Sequence, residues 1–282
     1  MRAVSPSSLD EVVRALSEHP ELRPVAGCTD LMVAEADVLA SLPGLMNLLS
    51  VPELRGIRWQ GESLEIGATT PFSEIAGSPR VRKSFPALAD AASQIGGWQI
   101  QNRATLGGNM ANASPAGDSL PVLLVLDATV VLVGPAGERA VSYQDFHTGY
   151  RETAMRPGEI IGWIRLPRPH ADSVQRFRKV GTREAHAISK VVVALHGRVE
   201  DGKFYEYRLA AGSVAPVPVR LLPVEEAVLG RIADGATADL AGRIATDAVE
   251  PIDDVRSTAA YRRFALGRVV RRMTLELSRM GG

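Results

Sequence analysis

A single cysteine, Cys28, stands in a chain of 282 residues. One thiol excludes an internal disulfide framework, a cysteine-based zinc site and an iron–sulfur cluster held by this chain, and it suits a reducing compartment. Excess charge of either sign is missing too, because 32 Lys plus Arg balance 32 Asp plus Glu. A neutral chain has no overall electrostatic pull toward nucleic acid or an anionic membrane. No apolar run approaches a membrane span, and the start, Met1 to Pro6, lacks the apolar stretch of a signal peptide. The expectation is a soluble, cytoplasmic protein with no membrane span and no nucleic-acid partner.

Familiar catalytic signatures are lacking as well. No G-x-G-x-x-G follows a strand, and there is no G-x-x-x-x-G-K-S/T, H-E-x-x-H or G-x-S-x-G. The five histidines, His19, His147, His170, His186 and His196, fall at scattered spacings and read as surface or structural residues. No catalytic side chain and no metal site is therefore expected in this chain.

What is present suffices for one large core or two to three modest ones, since 45% of the residues are hydrophobic. Ser7 or Ser8 can cap a helix with Leu9, Val12, Val13 and Leu16 on one face. A short strand at 23–26, a helix opened by Thr29 and Asp30, and a strand at 44–50 complete a small βαβ-like lobe over residues 1–55. In 56–172, Gln60 to Ser63 turns a hairpin, and Thr70-Pro71 and Ser78-Pro79 predict helix starts. Leu126 to Val133, Arg139 to Tyr143 and Ile160 to Leu166 read as strands. In 173–282, strands at 174–180, 188–199 and 204–213 precede helices at 221–230, 237–249 and 257–279. Asp201-Gly202 supplies the turn between the second and third of these strands. Strands followed by helices give an α+β unit. Arg262, Arg263, Arg268, Arg271 and Arg272 read as the exposed face of the last helix.

Two glycine-bearing segments carry the chemistry. In Pro24-Val25-Ala26-Gly27-Cys28-Thr29-Asp30-Leu31 a strand ends, the chain turns and a helix begins. Such a turn gathers free backbone N–H groups, and a phosphate oxygen is the natural guest. The second segment, Gln101 to Asp118, reads as a long irregular loop of small and polar residues. There Gly107-Gly108 permits close backbone approach, while Thr105, Asn109, Asn112 and Ser114 offer neutral hydrogen bonds and Asp118 a ribose-type acceptor. Phosphate cradles without a nucleophile or a metal suggest a cofactor carrier.

These residues carry a resemblance. Pro24 to Leu31 resembles the A-G-G-T-D-L pyrophosphate loop of FAD-binding (medium) subunits in the molybdenum hydroxylase family, of the xanthine dehydrogenase and carbon monoxide dehydrogenase type. Gln101 to Asn109 and Ala113 to Asp118 look like that family's second FAD loop. Phe177 to Arg183 with Ile188 to Val191 is similar to the start of its C-terminal domain, so the likeness spans essentially the whole chain. It implies an α+β fold: a two-lobed FAD-binding domain of the vanillyl-alcohol-oxidase type plus a C-terminal domain with a three-stranded sheet and a helical bundle. It also implies dissociable FAD, with the backbone of Ala26 to Leu31 and of Gly107 to Asn109 holding the diphosphate. Thr105, Ser114 and Asp118 would bind the ribityl, diphosphate or adenosine side. Ile95 and Ile160 would contact the rings, and Lys179 would stand near the isoalloxazine.

By the same resemblance, a large subunit carries the molybdenum cofactor and a small subunit carries [2Fe–2S] clusters, in a heterotrimer or a dimer of heterotrimers. The chain would be an oxidoreductase subunit passing electrons to NAD, a quinone or oxygen. A stand-alone flavin reductase or oxidase of the same fold and a flavin-free assembly subunit are the alternatives. One departure stands out. The second glycine of the first loop is Cys28, where a positive φ would cost energy.

Overall fold

The computed structural model describes residues 2–33, 36–183 and 186–280. Three sheets organise the chain, together with one small hairpin. The first holds β1 (Arg2–Val4), β3 (Gly44–Asn47) and β2 (Arg23–Val25), in that order and all parallel. Pro24, which has no N–H to donate, sits on the edge strand, where its lack costs least. Between β1 and β2 runs α1 (Leu9–Glu18), capped by the Ser8 side chain and buried through Val12 and Leu16. A single 3₁₀ turn, Leu31–Val33, follows the first glycine-bearing segment, and α2 (Ala36–Ala40) comes after it. The helix predicted to open at Thr29 and Asp30 therefore starts later. The chain first tightens so that the Met32 N–H donates to the Cys28 carbonyl.

The second sheet is antiparallel, in the order β4 (Ile57–Gln60), β5 (Ser63–Gly67), β10 (Ile160–Pro167), β6 (Thr129–Gly134), β7 (Gly137–Ser142). Six helices lie between β5 and β6: α3 (Phe72–Gly77), α4 (Pro79–Ser84), α5 (Pro86–Ser93), α6 (Trp98–Gln101), α7 (Leu106–Asn112) and α8 (Leu120–Val125). Strand β6 is covered on both faces. Val130 and Leu132 join the helices in one core, while Val131 and Val133 meet Val12, Leu16 and Met46 of the first lobe in another. Double burial explains why Val130 to Val133 are apolar in succession rather than in alternation. The start of the strand predicted from Leu126 belongs instead to the end of α8, and β6 begins at Thr129. Ser78 caps α4 as predicted, but Thr70 caps nothing, because its hydroxyl bonds to Gly56 and α3 begins behind Pro71. After β7 a short hairpin forms, β8 (His147–Gly149) with β9 (Glu152–Thr153), that sequence reading did not find.

The third sheet runs β11 (Val174–Val180), β12 (Val191–Glu200), β13 (Lys203–Gly212), β14 (Val219–Arg220). It has four strands rather than three, because the two residues of β14 pair with Ala210 and Ala211. The turn between β12 and β13 sits at Asp201 and Gly202, both with positive φ. Helices α9 (Leu222–Val228), α10 (Gly235–Asp247) and α11 (Ala259–Ser278) cover one face through Val191, Val193 and Leu195. The other face presents Phe177, Val192 and Ala194 to the core shared with α5 and α8. This sheet thus closes against the second region, and residues of all three sheets or their flanking loops meet at one cleft.

The last helix departs from expectation at Arg262 and, in part, at Arg271, which is half-buried and paired with Asp239. Arg262 is buried, donating to the carbonyls of Lys190 and Ser213 and pairing with Asp254 at 2.7 Å. Arg263, Arg268 and Arg272 are exposed, as read from the sequence.

Candidate functional site

The cleft has a volume of about 1380 Å³. That exceeds the roughly 300–1,000 Å³ typical of sites for drug-sized ligands and suits a longer molecule. Sixteen of the seventeen residues singled out from the sequence line it: Pro24 to Leu31, Ile95, Thr105, Gly107 to Asn109, Ser114, Asp118 and Ile160. Lys179 does not.

The first segment is an open cradle. The backbone N–H groups of Gly27, Cys28, Thr29, Asp30 and Leu31 donate to no acceptor among the described residues. Successive free N–H groups around a left-handed residue form an anion-binding concavity. Here the left-handed residue is Cys28, with φ +60°, and its thiol donates to the Ala26 carbonyl at 3.3 Å. Gly27 is needed for a different reason: a Cβ there would lie 1.9 Å from the Arg103 carbonyl oxygen. The glycine allows the first segment to lie directly on the second.

The second segment is no irregular loop, and here the sequence reading is corrected. Its middle is α7, capped by Thr105, whose hydroxyl accepts the Gly108 N–H at 3.1 Å. The Leu106 and Gly107 N–H groups donate to the carbonyls of Thr70 and Ala68, and that of Asn109 donates to Thr105. A helix start that would otherwise carry orphan donors is saturated by neighbouring protein. Gly107 serves packing, since a Cβ there would come within 2.6 Å of the Ala68 side chain. Gly108 faces open space apart from Thr105 Oγ1. The segment's offer to a ligand is therefore its smooth glycine surface and the side chains of Asn109, Ser114 and Asp118. Asn109 is fixed by accepting from Ser119 Oγ at 2.8 Å, and Ser114 Oγ accepts the Ala116 N–H.

Asp118 anchors the far end. Lys179 Nζ donates to its Oδ2 at 2.6 Å and to the Gln94 carbonyl at 2.9 Å, and Ser189 donates to Oδ1. Burial pushes the Asp118 carboxyl above its ordinary value, and Lys179 and Ser189 hold back part of that rise. The cleft therefore meets a charge-compensated pair, with Asp118 at the wall and Lys179 behind it.

Sequence reasoning missed several lining residues. Tyr150 and Arg151 form the tip of the β8–β9 hairpin, Ala68 and Thr69 follow β5, and Ser189 and Ser213 come from the third region. None carries a local signal, because each reaches the cleft only through pairing distant in the chain. Among the described residues, no group of three or more His, Cys, Asp or Glu side chains could hold a metal, and no helix is long and apolar enough to cross a membrane.

A cleft between sheets with an N–H cradle and a saturated glycine helix defines a dinucleotide-carrying protein, and comparison with known proteins specifies the class. Residues 1–169 match the FAD binding domain in molybdopterin dehydrogenase, and residues 176–277 match the CO dehydrogenase flavoprotein C-terminal domain. The carbon monoxide dehydrogenase medium chain of Afipia carboxidovorans is 31% identical over 272 residues, covering 95% of this chain and 93% of its own. A putative xanthine dehydrogenase FAD-binding subunit of Escherichia coli is 32% identical over 222 residues, covering 78% and 76%. Among solved structures, a carbon monoxide dehydrogenase from Hydrogenophaga pseudoflava lacking the Mo-pyranopterin moiety superposes with a TM-score of 0.92 at 30% identity, covering 96% of this chain and 95% of that one. The chain belongs to the family of FAD-binding medium subunits of molybdenum hydroxylases, which are oxidoreductases.

Proposed function

We propose that the cleft holds one FAD by which this chain accepts electrons from the [2Fe–2S] clusters of a small partner subunit. The electrons leave to an external acceptor: NAD, a quinone or oxygen. Substrate hydroxylation belongs to a large subunit with the molybdenum cofactor, in a cytoplasmic heterotrimer or a dimer of heterotrimers. The observation that carries the reading is the row of free N–H groups from Gly27 to Leu31 in a cleft of dinucleotide size. The flavin, when bound, supplies the redox chemistry; the protein supplies placement and electrostatics.

In this reading the backbone from Ala26 to Leu31, after Pro24 and Val25, binds the diphosphate, and Gly107 to Asn109 close over it. Thr105, Ser114 and Asp118 serve the ribityl, diphosphate or adenosine side, and Ile95 and Ile160 press on the rings. Lys179 balances the Asp118 carboxylate from behind the cleft wall. Residues 1–55 and 56–172 are the two FAD lobes, and 173–282 is the domain that closes the cleft. The test is a flavin titration of the purified full chain. Micromolar or tighter FAD uptake with quenched flavin fluorescence is expected, and a chain that takes up no FAD overturns the reading.

A further inference from the structure

The cofactor reading leaves a charge unanswered. The diphosphate of a dinucleotide carries two negative charges, while the residues of the two segments that line the cleft offer neutral donors and the acids Asp30 and Asp118. Among the described residues the cleft is lined by four cationic side chains, Arg23, Arg151, Arg256 and Arg262. Two of these are committed. Arg262 is buried against Asp254 and two carbonyls, and Arg256 pairs with Asp254 at 3.6 Å.

Arg151 is differently placed. It occupies the two-residue tip of the β8–β9 hairpin with φ +57°, a conformation that costs about 1 kcal/mol or more for a residue with a Cβ. Strained tips of this kind collect at ligand clamps. The hairpin is held on α7, because His147 Nε2 bonds the Met110 carbonyl at 2.9 Å and the Arg151 guanidinium reaches Asn112 Oδ1 at 3.4 Å. That long bond to a neutral carbonyl is its one polar side-chain contact, and no carboxylate pairs with it among the described residues. Helical rise puts Asn112 about 6 Å beyond Gly108, within the length of an arginine side chain.

We propose that Arg151 is the counter-cation for a dinucleotide diphosphate in the cleft. The inference rests on the cofactor reading above and adds a residue to it. The diphosphate belongs either to the resident FAD or to a second dinucleotide docking beside it; the chemistry recognised is the same. Arginine suits the task through its fixed fork of donors and permanent charge.

The experiment uses the flavin-stripped full chain, as wild type, Arg151→Gln, Arg151→Lys and Arg23→Gln, titrated with FAD and with riboflavin, which has no phosphate. Arg151→Gln is expected to weaken FAD by about tenfold, the scale of one partly exposed charge-assisted contact, with riboflavin unchanged. Arg151→Lys should recover part of the loss, and the salt dependence of FAD binding should flatten in Arg151→Gln. If FAD affinity holds but ADP-ribose binding to the FAD-loaded protein is lost in Arg151→Gln, the diphosphate is that of the second dinucleotide. A loss in Arg23→Gln alone, an equal loss for riboflavin, or no change in either dinucleotide arm overturns the assignment. Failure of the wild type to bind FAD instead overturns the cofactor reading itself.

Discussion

The two glycine-bearing segments, 24–31 and 101–118, both read as phosphate cradles in the sequence and differ in what their backbones are free to do. In the first, five successive N–H groups have no acceptor among the described residues. In the second, the N–H groups of Leu106, Gly107, Gly108 and Asn109 are all taken by protein oxygens. Glycine also does different work. Gly27 and Gly107 admit neighbouring backbone and side chain at distances a Cβ forbids, while Gly108 leaves room in the cleft. A glycine-rich stretch is thus not by itself a phosphate site. The first segment keeps the free donors that an anion would need, and the second forms the wall beside them.

The comparison breaks most severely at the contact between the segments. Gly27→Val would drive a side chain into the Arg103 carbonyl, so a loss of about 4 kcal/mol is expected together with loss of flavin uptake. Urea unfolding and flavin content measure both; near-normal values for both would mean the segments can part without harm. Next in size is Lys179→Met, which leaves the Asp118 carboxyl buried without its cation and should cost about 3 kcal/mol. The same unfolding experiment checks it, and a change under about 1 kcal/mol would show that Asp118 is content in its neutral form.

Gly108→Leu separates wall from cradle. FAD affinity should fall about thirtyfold or more, because the new side chain extends beyond Thr105 into open cleft, while stability falls by only about 1 kcal/mol as the Cβ presses on the Thr105 cap. Equal FAD affinity in a fluorescence titration would place the cofactor away from α7. Smallest is Cys28→Gly, which relieves the left-handed cysteine at +60° and should stabilise the apo-protein by about 0.5 kcal/mol, the strain relief exceeding the entropy glycine adds to the unfolded chain. A drop in melting temperature would instead show that the thiol contact to Ala26 outweighs the strain.

Much of the architecture was legible because its causes are local. The Ser8 and Ser78 caps, the apolar face of α1, the Asp201-Gly202 turn and the helices of the third region each follow from residues within a few positions of one another. Of the seventeen residues singled out from the sequence, all but Lys179 line one cleft. What failed to show were features whose partners lie far along the chain. The three-residue strand Arg2–Val4 exists only because Gly44 to Met46 of β3 receive it. Arg262 looked like a surface charge, until carbonyls some 50 and 70 positions away buried it.

The sequence by itself determined the two glycine-bearing segments and, through their resemblance to a known family, the expectation of a dinucleotide cofactor: local turns and glycine placement are properties of nearest neighbours. Only the tertiary structure decided which donors remain free. Whether an N–H is available depends on the carbonyl opposite it, and for Gly107 that carbonyl belongs to Ala68, on another strand's end. The same holds for charge. Lys179 is a cation in the sequence, but in the fold it is one half of a buried pair whose other half faces the cleft.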